Sequence, residues 1–114
     1  MRFISGAAVC SVLLFATPAV AQGDPNASLA QDLSSCAGAV AAFGDLDVIA
    51  YPSGASGEWA DVLGRILARL NVEPGVEGMT GRYAASAARA FWREQSRSRQ
   101  QAAASRCRER FAAQ

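Results

Sequence analysis

Six apolar residues between Trp59 and Leu70 set the clearest rhythm in the chain. Trp59, Val62, Leu63, Ile66, Leu67 and Leu70 recur at i, i+3, i+4, i+7, i+8 and i+11. At 3.6 residues per turn these positions share one face, so the spacing predicts an amphipathic helix. Ser56 is the expected N-cap. Glu58 and Asp61 suit the positive end of the helix dipole, and Arg65 and Arg69 suit the negative end. Asn71, followed by Pro74 and Gly75, ends the pattern.

Upstream, Leu29, Leu33, Cys36, Val40 and Phe43 alternate four- and three-residue steps, which predicts a helix from about Ser28 to Phe43. Ser28 with Gln31 matches a capping box, and Asp24-Pro25 offers an earlier start. Ser34, Gly38 and Ala42 form a second row of small residues. Gly38 costs about 1 kcal/mol of helix propensity against alanine, and the expected compensation is close approach of another helix. Gly44 closes the element.

Downstream, the longest helix is predicted from about Thr80 to Phe111. Ala84, Ala88, Phe91, Trp92 and Gln95 fall on one side, and Ala103, Cys107 and Phe111 form a second row. The rows do not share a straight stripe. An unbroken helix of 30 residues would be about 45 Å long, so a kink or break is expected near Ser96 to Arg99. Residues 45–51 read as a helical turn or an apolar loop over the core, and residues 52–57 as a flexible connection. The fold class is therefore an all-α bundle of three main helices, or four if the C-terminal one breaks. Trp59, Trp92, Phe91 and Tyr83 are expected to pack inside it.

Residues 1–21 have a different character. Arg2, an apolar run from Phe3 to Ala16, a break at Thr17-Pro18 and then Ala19-Val20-Ala21 read as a cleaved secretory signal peptide. The run is shorter than the roughly 20 residues that span a bilayer. Cys10 leaves with this leader. The remaining domain, residues 22–114, holds two cysteines, Cys36 and Cys107. In an oxidising compartment such a pair is expected to form a structural disulfide. The two are too far apart in sequence for a C-x-x-C redox motif.

Composition restricts the chemistry. The chain of 114 residues has no histidine and no lysine. That excludes Ser-His-Asp and Cys-His catalysis, histidine-ligated zinc, a P-loop lysine and Schiff-base chemistry. Asp45 with Asp47 lacks the further ligands of a calcium loop, and Glu58 with Asp61 is explained by its place at a helix start. No catalytic, cofactor-binding or metal-binding set is assigned. The charge is divided by halves. From residue 22 to Gly78, eight carboxylates face two arginines, a balance of −6; from Met79 onward, eight arginines face two carboxylates, a balance of +6.

Two readings of the basic half follow. Arg82, Arg89, Arg93 and Arg97 lie within about 80° on a helical wheel. They form either a solvated face beside acidic segments of the same chain or a face that grips anions. The leading functional expectation is a non-enzymatic secreted or periplasmic protein that binds another protein, in the manner of a chaperone, inhibitor or immunity protein. The alternatives are a binder of anionic lipid or glycan through the arginine helix, and an enzyme working through carboxylates alone. Nucleic acid is not an expected partner, and no membrane span is expected after the leader is removed.

Overall fold

A computed structural model describes residues 25–113. The expected leader and its cleavage site lie outside them. Four α-helices follow in order: α1 (Pro25–Gly44), α2 (Glu58–Asn71), α3 (Met79–Arg93) and α4 (Arg97–Cys107), with a π-helical turn at Arg108–Ala112. There is no strand among the described residues. The all-α bundle is thus the four-helix form.

α1 is the centre of the bundle, and α2, α3 and α4 all pack on it. Its Leu33, Ala37, Val40 and Ala41 meet Leu63, Ile66 and Leu70 of α2 and Ala104, Cys107 and Phe111 from the C-terminal end in one buried core. The stripe of large aliphatics on α2 faces inward as its spacing predicts. α1 takes the earlier of its two starts, at Pro25, which leaves Ser28 inside the helix and exposed.

The small row on α1 is where α3 crosses. A Cβ placed on Gly38 would lie 2.5 Å from the Ala88 Cβ and 2.5 Å from the Arg89 backbone nitrogen. Only glycine fits there, so the propensity lost at Gly38 is exchanged for helix-to-helix contact. Ala85 of α3 is fully buried, and Gly81 lies against Val76 and Leu70. α3 therefore approaches α1 through glycine and alanine rather than through large side chains.

Three expectations are corrected. The first is the Ser56 cap. Gly57 occupies the N-cap of α2 with φ 93°, and no side chain caps the helix. The left-handed turn at Gly57 starts the helix one residue later, out of register with the Ser56 hydroxyl. The second is the extent of the C-terminal helix, which takes the broken form of the two expected. It ends at Arg93, and α4 starts afresh at Arg97 under a Ser96 cap, whose hydroxyl accepts from the Arg99 N–H at 3.2 Å. The join is closed by Gln100, only 7% exposed, whose side-chain amide donates to the Trp92 and Gln95 carbonyls at 3.0 and 3.1 Å. The drift between the two apolar rows is this break.

The third correction concerns the aromatics. Trp59 is half-buried and meets Phe43 edge to face with centroids 5.4 Å apart; Trp92 is also half-buried. Tyr83 and Phe91, however, are 62% and 57% exposed. Alanines fill the inner face of α3, and Trp92 takes the inward position beside Phe91, which leaves both rings on the outside.

The disulfide forms as expected. Cys36 of α1 and Cys107 of α4 are bonded, with Cα atoms 5.4 Å apart. It ties the two ends of the core together across 71 residues. Residues 45–51 form turns rather than a helix. Leu46 and Val48 are buried over the core, and the Asp47 carboxylate accepts from the N–H groups of Ile49 and Ala50 at 2.9 and 3.1 Å.

Candidate binding surface

The four arginines proposed as an anion-gripping face have separate environments. Arg82 lies partly buried, and its guanidinium donates to the carbonyls of Val48 at 3.1 Å, Ile49 at 3.3 Å and Tyr51. It acts as a clamp on the turn between α1 and α2. Arg89 pairs with Asp45 at 3.5 Å, with its side chain 22% exposed and its Nε buried without a partner. Arg97 stacks on Phe43, 4.2 Å from the ring centroid. Arg93 is exposed and has no ion-pair partner among the described residues. α3 brings Arg82, Arg89 and Arg93 to one side, Arg97 lies beyond the break on α4, and Arg82 and Arg89 already hold the fold.

Two of the other C-terminal arginines do the same, while Arg99 and Arg106 are exposed without an ion-pair partner among the described residues. Arg110 pairs with Asp32 at 3.0 Å and Arg108 with Glu58 at 3.3 Å. Arg108 also covers Trp59, and Arg69 and Arg110 cover Phe111. With Arg89–Asp45, each ion pair joins the basic half of the chain to the acidic half. Exposed pairs of this kind contribute little stability singly, about 0–1 kcal/mol. Their consequence is that the opposed charges of the two halves are partly spent within the molecule.

What remains on the surface is the outer face of α3. Met79, Tyr83, Ala87 and Phe91 step along it four residues at a time, with Ala90 beside them, and all are exposed. Phe91 rests edge-on against Trp92, 5.3 Å between centroids, which orients its ring. Glu77 precedes the row, and Arg93 lies off it, on the flank that also carries Arg82 and Arg89. Side chains four apart on a helix are neighbours, so these residues form one continuous ridge. The signal for it was present in the sequence. The glycine and alanine positions Gly81, Ala84, Ala85 and Ala88 form a complementary row for Gly38, and the larger apolar residues are thereby left for the opposite face.

The carboxylates and hydroxyls considered for catalysis are dispersed. Asp45 binds Arg89, Asp47 binds backbone, and Glu58 binds Arg108. Ser35 accepts from the Trp92 indole at 3.4 Å, while Ser34 is buried and Ser53 exposed. Two open grooves of about 470 Å³ flank α3. One is bordered by Tyr51, Gly64, Met79 and Arg82, the other by Ala30, Ser34, Val76, Ala84 and Ala88. No carboxylate lines either of these grooves, whereas Glu58, Asp61 and Glu109 border a third open one of about 330 Å³ together with Arg65 and Arg108. Among the described residues no group of three metal-ligating side chains comes together, and no helix is long and apolar enough to cross a membrane.

No protein-family model, curated protein or solved structure matches this chain.

Proposed function

We propose that this chain is a non-enzymatic, disulfide-stapled protein of the periplasm or the secreted milieu that binds another protein through the outer face of α3. The observation that carries this reading is the exposure of Tyr83 and Phe91 on one ridge, beside Met79. Large aromatics left in water on a helix, with arginine nearby, have the composition of protein-binding surfaces. Tyrosine, phenylalanine and methionine supply apolar area, and Arg93 supplies a fork for a carboxylate. The lack of histidine and lysine supports a role without catalysis. The signal-like segment and the disulfide support an oxidising compartment.

The test is affinity capture of the tagged mature protein from periplasm, run beside a Tyr83→Ala/Phe91→Ala variant. A partner that binds the parent and is lost from the variant supports the reading. No partner, or a partner held equally by both, refutes it. The anionic-surface reading keeps Arg93 and Arg97, the two members of its set with no carboxylate partner among the described residues, Arg97 lying over Phe43. It requires retention on a polyanion matrix that falls as salt rises and weakens on Arg93→Ala.

A further inference from the structure

We propose that the Cys36–Cys107 disulfide is also a reactive site, at which a small anionic thiol exchanges with the bond and is held as a mixed disulfide. This site is separate from the exposed face of α3 and does not depend on the protein-binding reading.

The bond lies at the edge of the core rather than inside it. Each cysteine is 8% exposed, whereas Leu33, Ala37 and Ala104 of the same core are fully buried. Both cysteines border an open groove of about 290 Å³. That is the volume of about ten liquid waters, enough for a thiol of several heavy atoms. Trp92 borders the groove as well, its indole N–H donating to the Ser35 hydroxyl at 3.4 Å.

The groove has a sign. Arg106 and Arg110 border it and Asp32 is the one carboxylate that does, so two guanidinium groups face one negative charge. Asp32 is already held by Arg110 at 3.0 Å. Arg106, next to Cys107 in the chain, is exposed without an ion-pair partner among the described residues. An anion entering the groove therefore meets net positive charge beside the bond. Thiol–disulfide exchange is carried by the thiolate, and its rate depends on access and on how readily the departing sulfur carries charge. Nearby arginine favours both the approach of an anion and the departing thiolate. A thiol that ends in a sulfonate or carboxylate is drawn in, and one that ends in an ammonium is repelled.

The step needs no other reagent. The incoming thiolate sulfur bonds to one cysteine sulfur and the Cys36–Cys107 bond breaks. Its electron pair leaves on the other cysteine as a thiolate, which then takes up a proton. The incoming sulfur is oxidised and the departing cysteine is reduced. Attack of the freed cysteine on the mixed disulfide reverses the step and returns the small thiol. Capture opens the cross-link of 71 residues, so thiol level and chain stability become coupled.

Exchange kinetics of the oxidised mature protein test this, with mercaptoethanesulfonate, mercaptoethanol and cysteamine at one pH. Each rate is divided by that of the same thiol on hydroxyethyl disulfide, a neutral reference, and the adduct is followed by mass spectrometry after acid quenching. At about 0.1 M ionic strength the anionic thiol should be favoured over the cationic one by about fivefold, with mercaptoethanol between them. The preference should collapse in about 1 M salt, where the screening length is about 3 Å. Arg106→Gln should flatten it and Arg106→Glu reverse it. Arg99→Glu, on an exposed residue of α4 that does not border the groove, should leave the order in place. Circular dichroism confirms that each variant keeps its helix content. Equal normalised rates for the three thiols, an order unmoved by Arg106→Glu, or a rate that climbs with sub-denaturing urea as global unfolding does overturns the proposal.

Discussion

Gly38→Ala sets two effects of opposite sign against each other at one position. In an isolated helix the change is favourable by about 1 kcal/mol, because alanine loses less backbone entropy. Here the added methyl would meet the Ala88 Cβ at 2.5 Å, the Ala88 carbonyl carbon at 2.6 Å and the Arg89 nitrogen at 2.5 Å. Two of these are backbone atoms of α3, so no rotamer change relieves the overlap. α1 and α3 must separate by about 1 Å. A gap of that size forfeits a quarter to a half of each dispersion contact along the seam. Overpacking of this kind costs about 1–3 kcal/mol. It falls on the most extensive helix pair in the bundle, and we expect the upper part of that range. The net expectation is a loss of about 1–2 kcal/mol, and each kcal/mol lowers Tm by about 4–8 °C in a domain of this size.

The assay is thermal and urea unfolding of the oxidised protein followed by far-UV circular dichroism. Ala87→Gly on the exposed side of α3 calibrates the local value of the glycine–alanine exchange. Ala88→Gly added to Gly38→Ala gives only partial relief, because the carbonyl carbon and the nitrogen remain. A Gly38→Ala protein as stable as the parent, or more so, would refute the reasoning, since helix propensity would then outweigh the crossing.

Replacing Cys36 and Cys107 by serine removes a cross-link spanning 71 residues. On a loop-entropy model this lowers stability by about 4 kcal/mol, read as a shift in urea midpoint, with helices retained at low denaturant. Gln100→Leu leaves the Trp92 and Gln95 carbonyls without their side-chain donor and costs about 1–3 kcal/mol. Amide exchange should then speed up first at the α3–α4 join. Arg82→Ala removes the Nη1 that donates to three carbonyls and should lower Tm, and Arg82→Lys, whose side chain is shorter than that reach, should recover only part of the loss. Equal stability of Arg82→Lys and the parent would show that charge alone suffices.

The parts of this fold that sequence reasoning reached are those in which one helix carries its own signal. On α2, large aliphatics repeat on one face while the other face is charged, and no tertiary knowledge is needed to orient it. Gly38 was also readable, because a glycine in mid-helix calls for a reason. The misses have a common cause. α3 has two apolar faces, one small and one large, and the expectation that aromatics lie inside assigned Phe91 and Tyr83 to the wrong one. What decided the matter was the small row of α1, some 45 residues away, which accepts only alanine and glycine. Gln100 lies in the run Arg97-Ser98-Arg99-Gln100-Gln101, whose pattern is that of a solvated face. Its burial depends on where α3 stops. The wheel that grouped Arg82, Arg89, Arg93 and Arg97 assumed one unbroken helix; the break after Arg93 takes Arg97 out of it, and the wheel carried no information on Asp45, Phe43 or the carbonyls of Val48, Ile49 and Tyr51.

The bond between Cys36 and Cys107 makes most of the molecule a closed ring. α2, α3, α4 and the three segments that connect the helices lie within it. The exposed stretch around Ser53 and Gly54 is the natural entry point for a protease. A cut there opens the ring without releasing a piece. The nicked protein should migrate as one band on a non-reducing gel and as two after reduction. The cross-link thus makes a single cleavage survivable, a benefit separate from its effect on folding.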